Sequence, residues 1–116
     1  MREVLAVPAD IEVPAVTPAD LPDFLSKENT PRVIDIREPE EFSQGHLRLA
    51  ESIPMHRFIN EKPVSFSDEQ DIVFICRNGR RSNQLTWYLQ SQGIKNIYHL
   101  EGGISALEVA SLPKSD

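Results

Sequence analysis

The sequence predicts an α/β domain with a central, mostly parallel sheet of five strands and helices on both faces. Three observations predict it. Short β-branched runs recur along the chain, foremost Val33-Ile34-Asp35-Ile36 and Ile72-Val73-Phe74-Ile75. Segments with apolar residues at i, i+3, i+4 spacing alternate with them, the pattern of an α/β sheet. A chain of 116 residues with 40% hydrophobic content suits one compact domain with one core.

The elements follow in order. Pro8, Pro14, Pro18 and Pro22 crowd the start of the chain, so residues 1–10 read as an extended N-terminal arm and 11–116 as the domain. Residues 11–16 are apolar enough for a short strand, which Pro14 confines to an edge. Thr17-Pro18-Ala19-Asp20 reads as a helix start, with Thr17 at the N-cap and Pro18 at N1, and Leu21, Phe24 and Leu25 form its apolar face. Residues 32–36 form a buried parallel strand with Asp35 near its end. Residues 38–42 suit a short helix that stops near Gly45. A brief strand at Ser52-Ile53-Pro54 and a small helix over 56–61 come next. Residues 71–75 are the clearest strand of all and run straight into Cys76. Residues 82–92 read as a helix with Leu85, Tyr88, Leu89 and Gln92 on one stripe and Gly93 as its stop. A last strand over 96–100 and a closing helix over 104–110 complete the chain.

Charge and composition narrow the function. A formal charge of −6 without a Lys/Arg stripe argues against nucleic acid and anionic membrane as partners. No apolar run approaches the ~20 residues needed to span a bilayer. The N-terminus lacks the apolar region of a secretory signal, and a single cysteine allows no internal disulfide. Together these lead to the expectation of a cytoplasmic protein.

Against the acidic background, Arg77, Arg80 and Arg81 cluster directly after Cys76. The arrangement is strand, cysteine, short polar loop, helix. In open α/β sheets ligands bind beyond the carboxyl ends of the strands, and a helix N-terminus there favours an anion. Gly79 permits a tight or left-handed turn. The helix terminus and the arginines should therefore favour the Cys76 thiolate, able to attack a sulfur or phosphorus electrophile or to hold a persulfide. The plain alternatives are an inert buried cysteine, the commonest state of a lone thiol, and a solvated cluster of basic side chains.

These residues, with those around them, resemble a single-domain rhodanese, a thiosulfate sulfurtransferase-like family. The resemblance is carried by Val33-Ile34-Asp35-Ile36-Arg37-Glu38-Pro39-Glu40-Glu41-Phe42, Gly45-His46-Leu47, Ser52-Ile53-Pro54, the run from Ile72 to Ser82, and Leu100-Glu101-Gly102-Gly103-Ile104. It implies a rhodanese-like fold without a cofactor and ping-pong catalysis through a Cys76 persulfide. The donor would be thiosulfate or a related small compound, and the acceptor cyanide, a thiol or a protein. Arg77, Asn78, Gly79, Arg80, Arg81 and Ser82 would form the persulfide-binding loop. Asp35 and Arg37 would orient that loop through hydrogen bonds or an ion pair. Related phosphatases and arsenate reductases have Cys-x5-Arg, usually with His before the cysteine. Here Ile75 precedes Cys76, and Ser82 stands where that arginine would be. A non-turnover alternative is a persulfide carrier or recognition module serving a partner enzyme.

Other polar residues receive plainer readings. His46 is expected to fix its turn, and His56 and His99 lack partners at metal-ligand spacing, so no metal is expected. Glu40 and Glu41 read as surface acids complementing a helix dipole. Ser82 has no His–Asp partner pattern and reads as a helix-start residue. Trp87 reads as packing or surface cover. The chain departs from the family pattern at Leu47-Arg48-Leu49-Ala50, where glycine commonly precedes the alanine, and at Leu107, near the place of a frequent tryptophan.

Overall fold

The structure is a computed structural model that describes residues 7–61, 65–67 and 69–109. Its elements are β1 (Ala15–Val16), α1 (Leu21–Leu25), β2 (Arg32–Asp35), α2 (Pro39–Ser43) and β3 (Glu51–Ser52), then α3 (Met55–Asn60), β4 (Ile72–Ile75), α4 (Arg80–Ser91), β5 (Ile97–Leu100) and α5 (Gly103–Val109). The strands form one sheet in the order β1-β5-β4-β2-β3, and every pairing is parallel. The expected α/β architecture with five parallel strands is present.

Period-two alternation decides which side chains go to which face. Ile72, Phe74 and Cys76 join Ile34, Ile36 and Ile97 beneath Phe58 of α3 and Leu85 and Leu89 of α4. Val73 and Ile75 face the other way, against Leu21 of α1 and Ile104 and Leu107 of α5. All four residues of β4 are buried, as a strand central to a two-sided core requires. Leu107, at the place of the family's tryptophan, is 1% exposed and packs into this second cluster.

Several boundaries differ from the sequence expectation, each for a local reason. The first strand is only two residues long, and it is an edge strand as Pro14 requires. Thr17 does not cap α1. Its Oγ1 accepts the Asp20 N–H at 3.2 Å and closes a separate turn, while α1 begins at Leu21 with Asp20 as N-cap. Pro22 lies in the helix's first turn, where its missing N–H has no helical partner to lose. Helix α4 starts at Arg80, two residues early, because Gly79 adopts φ +91° and serves as N-cap. Ala110, the expected last residue of α5, lies outside the described residues, as do residues 1–6 of the expected arm. Within the described part of that arm, the Ile11 N–H donates to the Pro8 carbonyl at 3.2 Å and forms a turn.

Phe74 is fully buried, with its ring edge-on to Phe58 at 5.2 Å between centroids. Replacing it with alanine removes most of a large side chain from a core that cannot fully collapse around the gap. Phe74→Ala should cost about 3–5 kcal/mol, read as a lowered midpoint in urea denaturation.

Candidate active site

Cys76 follows the last residue of β4 and is 0% exposed. Its Sγ accepts the Gly79 N–H at 3.2 Å and the Ser82 N–H at 3.3 Å. Both amides belong to the N-terminus of α4, whose first N–H groups have no partner within the helix. The sulfur therefore occupies the position of a capping or bound anion, where amide hydrogens and the helix dipole both favour negative charge. The Arg80 N–H turns aside to Asn78 Oδ1 at 3.0 Å, so two of the expected loop amides reach the sulfur.

The loop's shape is imposed from the other side by α5. The Ile104 N–H donates to the Cys76 carbonyl at 2.9 Å and the Ser105 N–H to the Arg77 carbonyl at 3.0 Å. The start of one helix thus satisfies the loop's carbonyls, leaving amides farther along free to face the sulfur. This approach leaves no room for side chains. A Cβ on Gly103 would stand 2.5 Å from the Cys76 carbonyl oxygen, and one on Gly79 would stand 2.9 Å from the Gly102 nitrogen.

The three arginines do not converge equally. Arg81 is held by Glu41 of α2, Nη1 to Oε1 at 3.1 Å and Nη2 to Oε2 at 3.2 Å. The Glu41 hydrogen bond raises the Arg81 pKa most, and weaker attractions to Cys76 and Asp35 add to it. Arg81 therefore shares its charge with the Glu41 carboxylate at the start of α4. Arg80 borders an open depression with Asn78, Gly79, Asn83, His99, Glu101 and Gly102, beside the loop. Arg77 is exposed.

Asp35 and Arg37 form a buried pair at the end of β2. Arg37 Nη2 donates to Asp35 Oδ2 and to the Gly45 carbonyl, both at 2.8 Å, and Nε donates to Asp35 Oδ1 at 2.9 Å. This pair fastens the chain after β2 to the turn after α2 and makes none of the described hydrogen bonds to the cysteine loop. His46 Nδ1 donates to the Leu47 carbonyl at 2.9 Å, and its ring stacks on Phe42 at 3.7 Å, in keeping with a turn-fixing role.

Ser82 is 0% exposed. Its Oγ lies 3.5 Å from Cys76 Sγ, 3.3 Å from the Gly79 carbonyl and 3.3 Å from His99 Nδ1. Burial pushes the His99 pKa below the ordinary imidazole value of 6.5, against a weaker upward pull from Glu101, which favours the neutral ring.

Sequence reasoning thus passed over two side chains that the fold brings to the site, Glu41 and His99. For His99 a signal was present: it is the polar member of an otherwise apolar β5, on the same strand face as Ile97. Glu41 carried no such signal, since its partner is 40 positions away. Among the described residues no group of three His, Cys, Asp or Glu side chains could hold a metal ion, and no helix is long and apolar enough to cross a membrane.

Glu41 does two jobs, because its Oε1 also accepts the Glu38 N–H at 3.1 Å in a capping box. The Arg81 hydrogen bond, with smaller help from that N–H, holds its pKa below the usual 4.5. A depressed folded-state carboxyl stabilises the protein above the unfolded value and loses that contribution as pH falls through the folded value. Glu41→Gln should therefore lower stability at pH 7 by up to about 1 kcal/mol, as partly exposed pairs do. In urea titrations the difference from wild type should persist above pH 4.5 and vanish at lower pH.

Comparison with known proteins agrees with this architecture. The family model described as "Rhodanese-like domain" matches residues 17–110. YtwF of Bacillus subtilis, which bears a provisional sulfurtransferase name, is 34% identical over 105 residues, covering 90% of this chain and 100% of that protein. A protein named sulfurtransferase from Allochromatium vinosum is 38% identical over 84 residues, 70% of this chain and 75% of its own. Among solved structures, a rhodanese-related protein from Thermoplasma volcanium superposes with a TM-score of 0.74 at 28% identity, over 87% of this chain and 96% of that one. The family match takes in every element from α1 to α5 together with the Cys76 loop, and the chain belongs to the rhodanese-like domain family.

Proposed function

We propose that this protein is a sulfurtransferase that carries sulfane sulfur on Cys76 as a persulfide, taken from thiosulfate or a related small donor. The observation that carries the reading is the seat of Cys76 Sγ on the Gly79 and Ser82 amides at the start of α4. Such a seat stabilises an anionic sulfur both before and after it has gained a second sulfur atom. Relatives bearing sulfurtransferase names support the same chemistry at family level.

In the first half-reaction the Cys76 thiolate attacks the outer sulfur of thiosulfate. The new S–S bond forms as the old one breaks, and sulfite leaves with the bonding pair. In the second half-reaction a nucleophile such as cyanide or a thiolate takes the terminal sulfur and restores the thiolate. Complete burial of Cys76 favours a donor with a slender terminal sulfur. Arg80 at the depression and Arg81 beside the loop supply positive charge for the dianionic donor and the departing sulfite. The single cysteine suits a reducing compartment such as the cytoplasm.

Incubation with thiosulfate should add about 32 Da, one sulfur atom, to the intact mass, with sulfite released and no adduct in Cys76→Ala. No adduct and no sulfite would overturn the thiosulfate reading. Discharge to a protein partner but not to cyanide would favour a carrier role instead. Arg81→Ala should weaken thiosulfate, raising its KM by about tenfold for the loss of one partly shared charge contact. An unchanged KM would remove Arg81 from donor binding.

A further inference from the structure

His99 is a buried titratable side chain that the persulfide mechanism leaves unused. It is 8% exposed, yet it borders the open depression formed by Asn78, Arg80, Asn83 and Glu101. Its Nδ1 lies 3.3 Å from Ser82 Oγ, and Ser82 Oγ lies 3.5 Å from Cys76 Sγ. A continuous chain of three polar atoms thus joins the buried sulfur to a side chain at the edge of solvent.

The hydroxyl of Ser82 has one proton and three neighbours that could accept it: the sulfur, the Gly79 carbonyl and His99 Nδ1. With Cys76 as a thiol, the S–H donates to Ser82 Oγ and the hydroxyl donates onward to Nδ1 or to the carbonyl. With Cys76 as a thiolate, the hydroxyl donates to the sulfur, and Oγ then accepts a proton from Nδ1–H. The ionisation of the cysteine and the tautomer of the histidine are therefore linked through one shared hydroxyl.

We propose that His99 is a positioning and proton-relaying residue for Cys76, acting through Ser82 and exchanging its proton with water at the depression. The inference rests on the reading of Cys76 as the working nucleophile. The Cys76 proton passes to Ser82 Oγ as the Ser82 hydroxyl proton passes to Nδ1, and the Nε2 proton leaves to water. The sulfur ends as a thiolate, Ser82 is again a hydroxyl that donates to it, and the imidazole is again neutral with its proton on Nδ1. One proton has moved to solvent and nothing is oxidised. The reverse sequence returns a proton to the sulfur between turnovers.

The surroundings suit a neutral relay. Glu101, two residues on, favours the charged ring weakly, and burial outweighs it. Arg80 across the depression carries the opposite sign. Ala15 of β1 and Phe74 of β4, in register on either side of His99, are uncharged. A ring that stays neutral can both accept from and donate to Ser82, whereas an imidazolium could only donate.

The first test uses the unaltered chain. Nitrogen-15 spectra of histidine-labelled protein distinguish the two neutral tautomers from each other and from the cation. Over about pH 5 to 9, His99 should pass from Nε2–H to Nδ1–H in step with the rise in iodoacetamide alkylation of Cys76. In Cys76→Ser that passage should be missing. A tautomer that stays constant while Cys76 titrates would overturn the relay. His99→Phe, checked for folding by circular dichroism, should move the alkylation profile up by about one pH unit, a tenfold slower reaction at lower pH. His99→Asn, whose amide can still donate to Ser82, should restore most of the loss. An unmoved profile in His99→Phe would also overturn the proposal, as would an undiminished effect of His99→Phe in a Ser82→Ala background. Neither readout involves sulfur transfer. Coupled titration in a protein that forms no persulfide would support the relay while removing the sulfur-transfer reading.

Discussion

The site depends on a pair of hydrogen bonds that involve no catalytic side chain: the Ile104 and Ser105 N–H groups of α5 bonded to the carbonyls of Cys76 and Arg77. A peptide carries its donor and acceptor on opposite sides. Fixing these two carbonyls toward α5 therefore fixes the path of the loop, and Gly79 at φ +91° turns it so that later amides face back to the sulfur. Two helices thus share one loop, α5 satisfying its acceptors and α4 supplying its donors. The close approach excludes a side chain at Gly103, whose Cβ would collide with both carbonyl oxygens. The glycines after β5 and the cysteine after β4 are distant in sequence and belong to one structural unit.

Around that unit, charge is arranged in matched pairs rather than as an open positive field. Arg37 and Asp35 are 0% and 1% exposed, and their mutual hydrogen bonds offset a desolvation cost of several kcal/mol for each ion. The Gly45 carbonyl takes a further Arg37 N–H, so the pair braces the α2 turn against the end of β2. Arg81 lies in the first turn of α4, where the helix dipole opposes a cation. Glu41 offsets part of that opposition. An anion seated on the Gly79 and Ser82 amides would offset more of it. A first turn that is unfavourable in an empty helix becomes reasonable once the helix faces an anion.

This placement also explains how far the sequence was legible. The sheet could be read because β-branched runs at 32–36 and 71–75 need only local pattern and burial. The cysteine loop could be read because strand, cysteine, glycine and helix follow one another within a dozen residues. The start of α4 was read two residues late because arginines at a helix N-terminus run against the usual charge preference. Thr17 satisfied the sequence pattern of an N-cap, but its hydroxyl closes a turn one step before the helix. Glu41 and His99 were read as ordinary because their partners, Arg81 and Ser82, are 40 and 17 positions away. Only the tertiary fold supplies such partners.

The same amides serve the helix start and the sulfur, and this sets the terms of the site. The Gly79 and Ser82 N–H groups would be unpaired at the start of a buried helix without an acceptor, and a buried unpaired donor costs about 1–3 kcal/mol. Cys76 Sγ supplies that acceptor as a thiol and supplies it better as a thiolate, because hydrogen bonds to an anion are stronger than hydrogen bonds to a neutral atom. Stabilising the anion therefore needs no separate device: the bonds that hold the fold strengthen when the sulfur ionises. Ser82 extends the arrangement one atom further, since its own N–H is one of the two donors and its hydroxyl joins the sulfur to His99. Its backbone and side chain thereby tie the helix cap and the buried imidazole to a single sulfur atom.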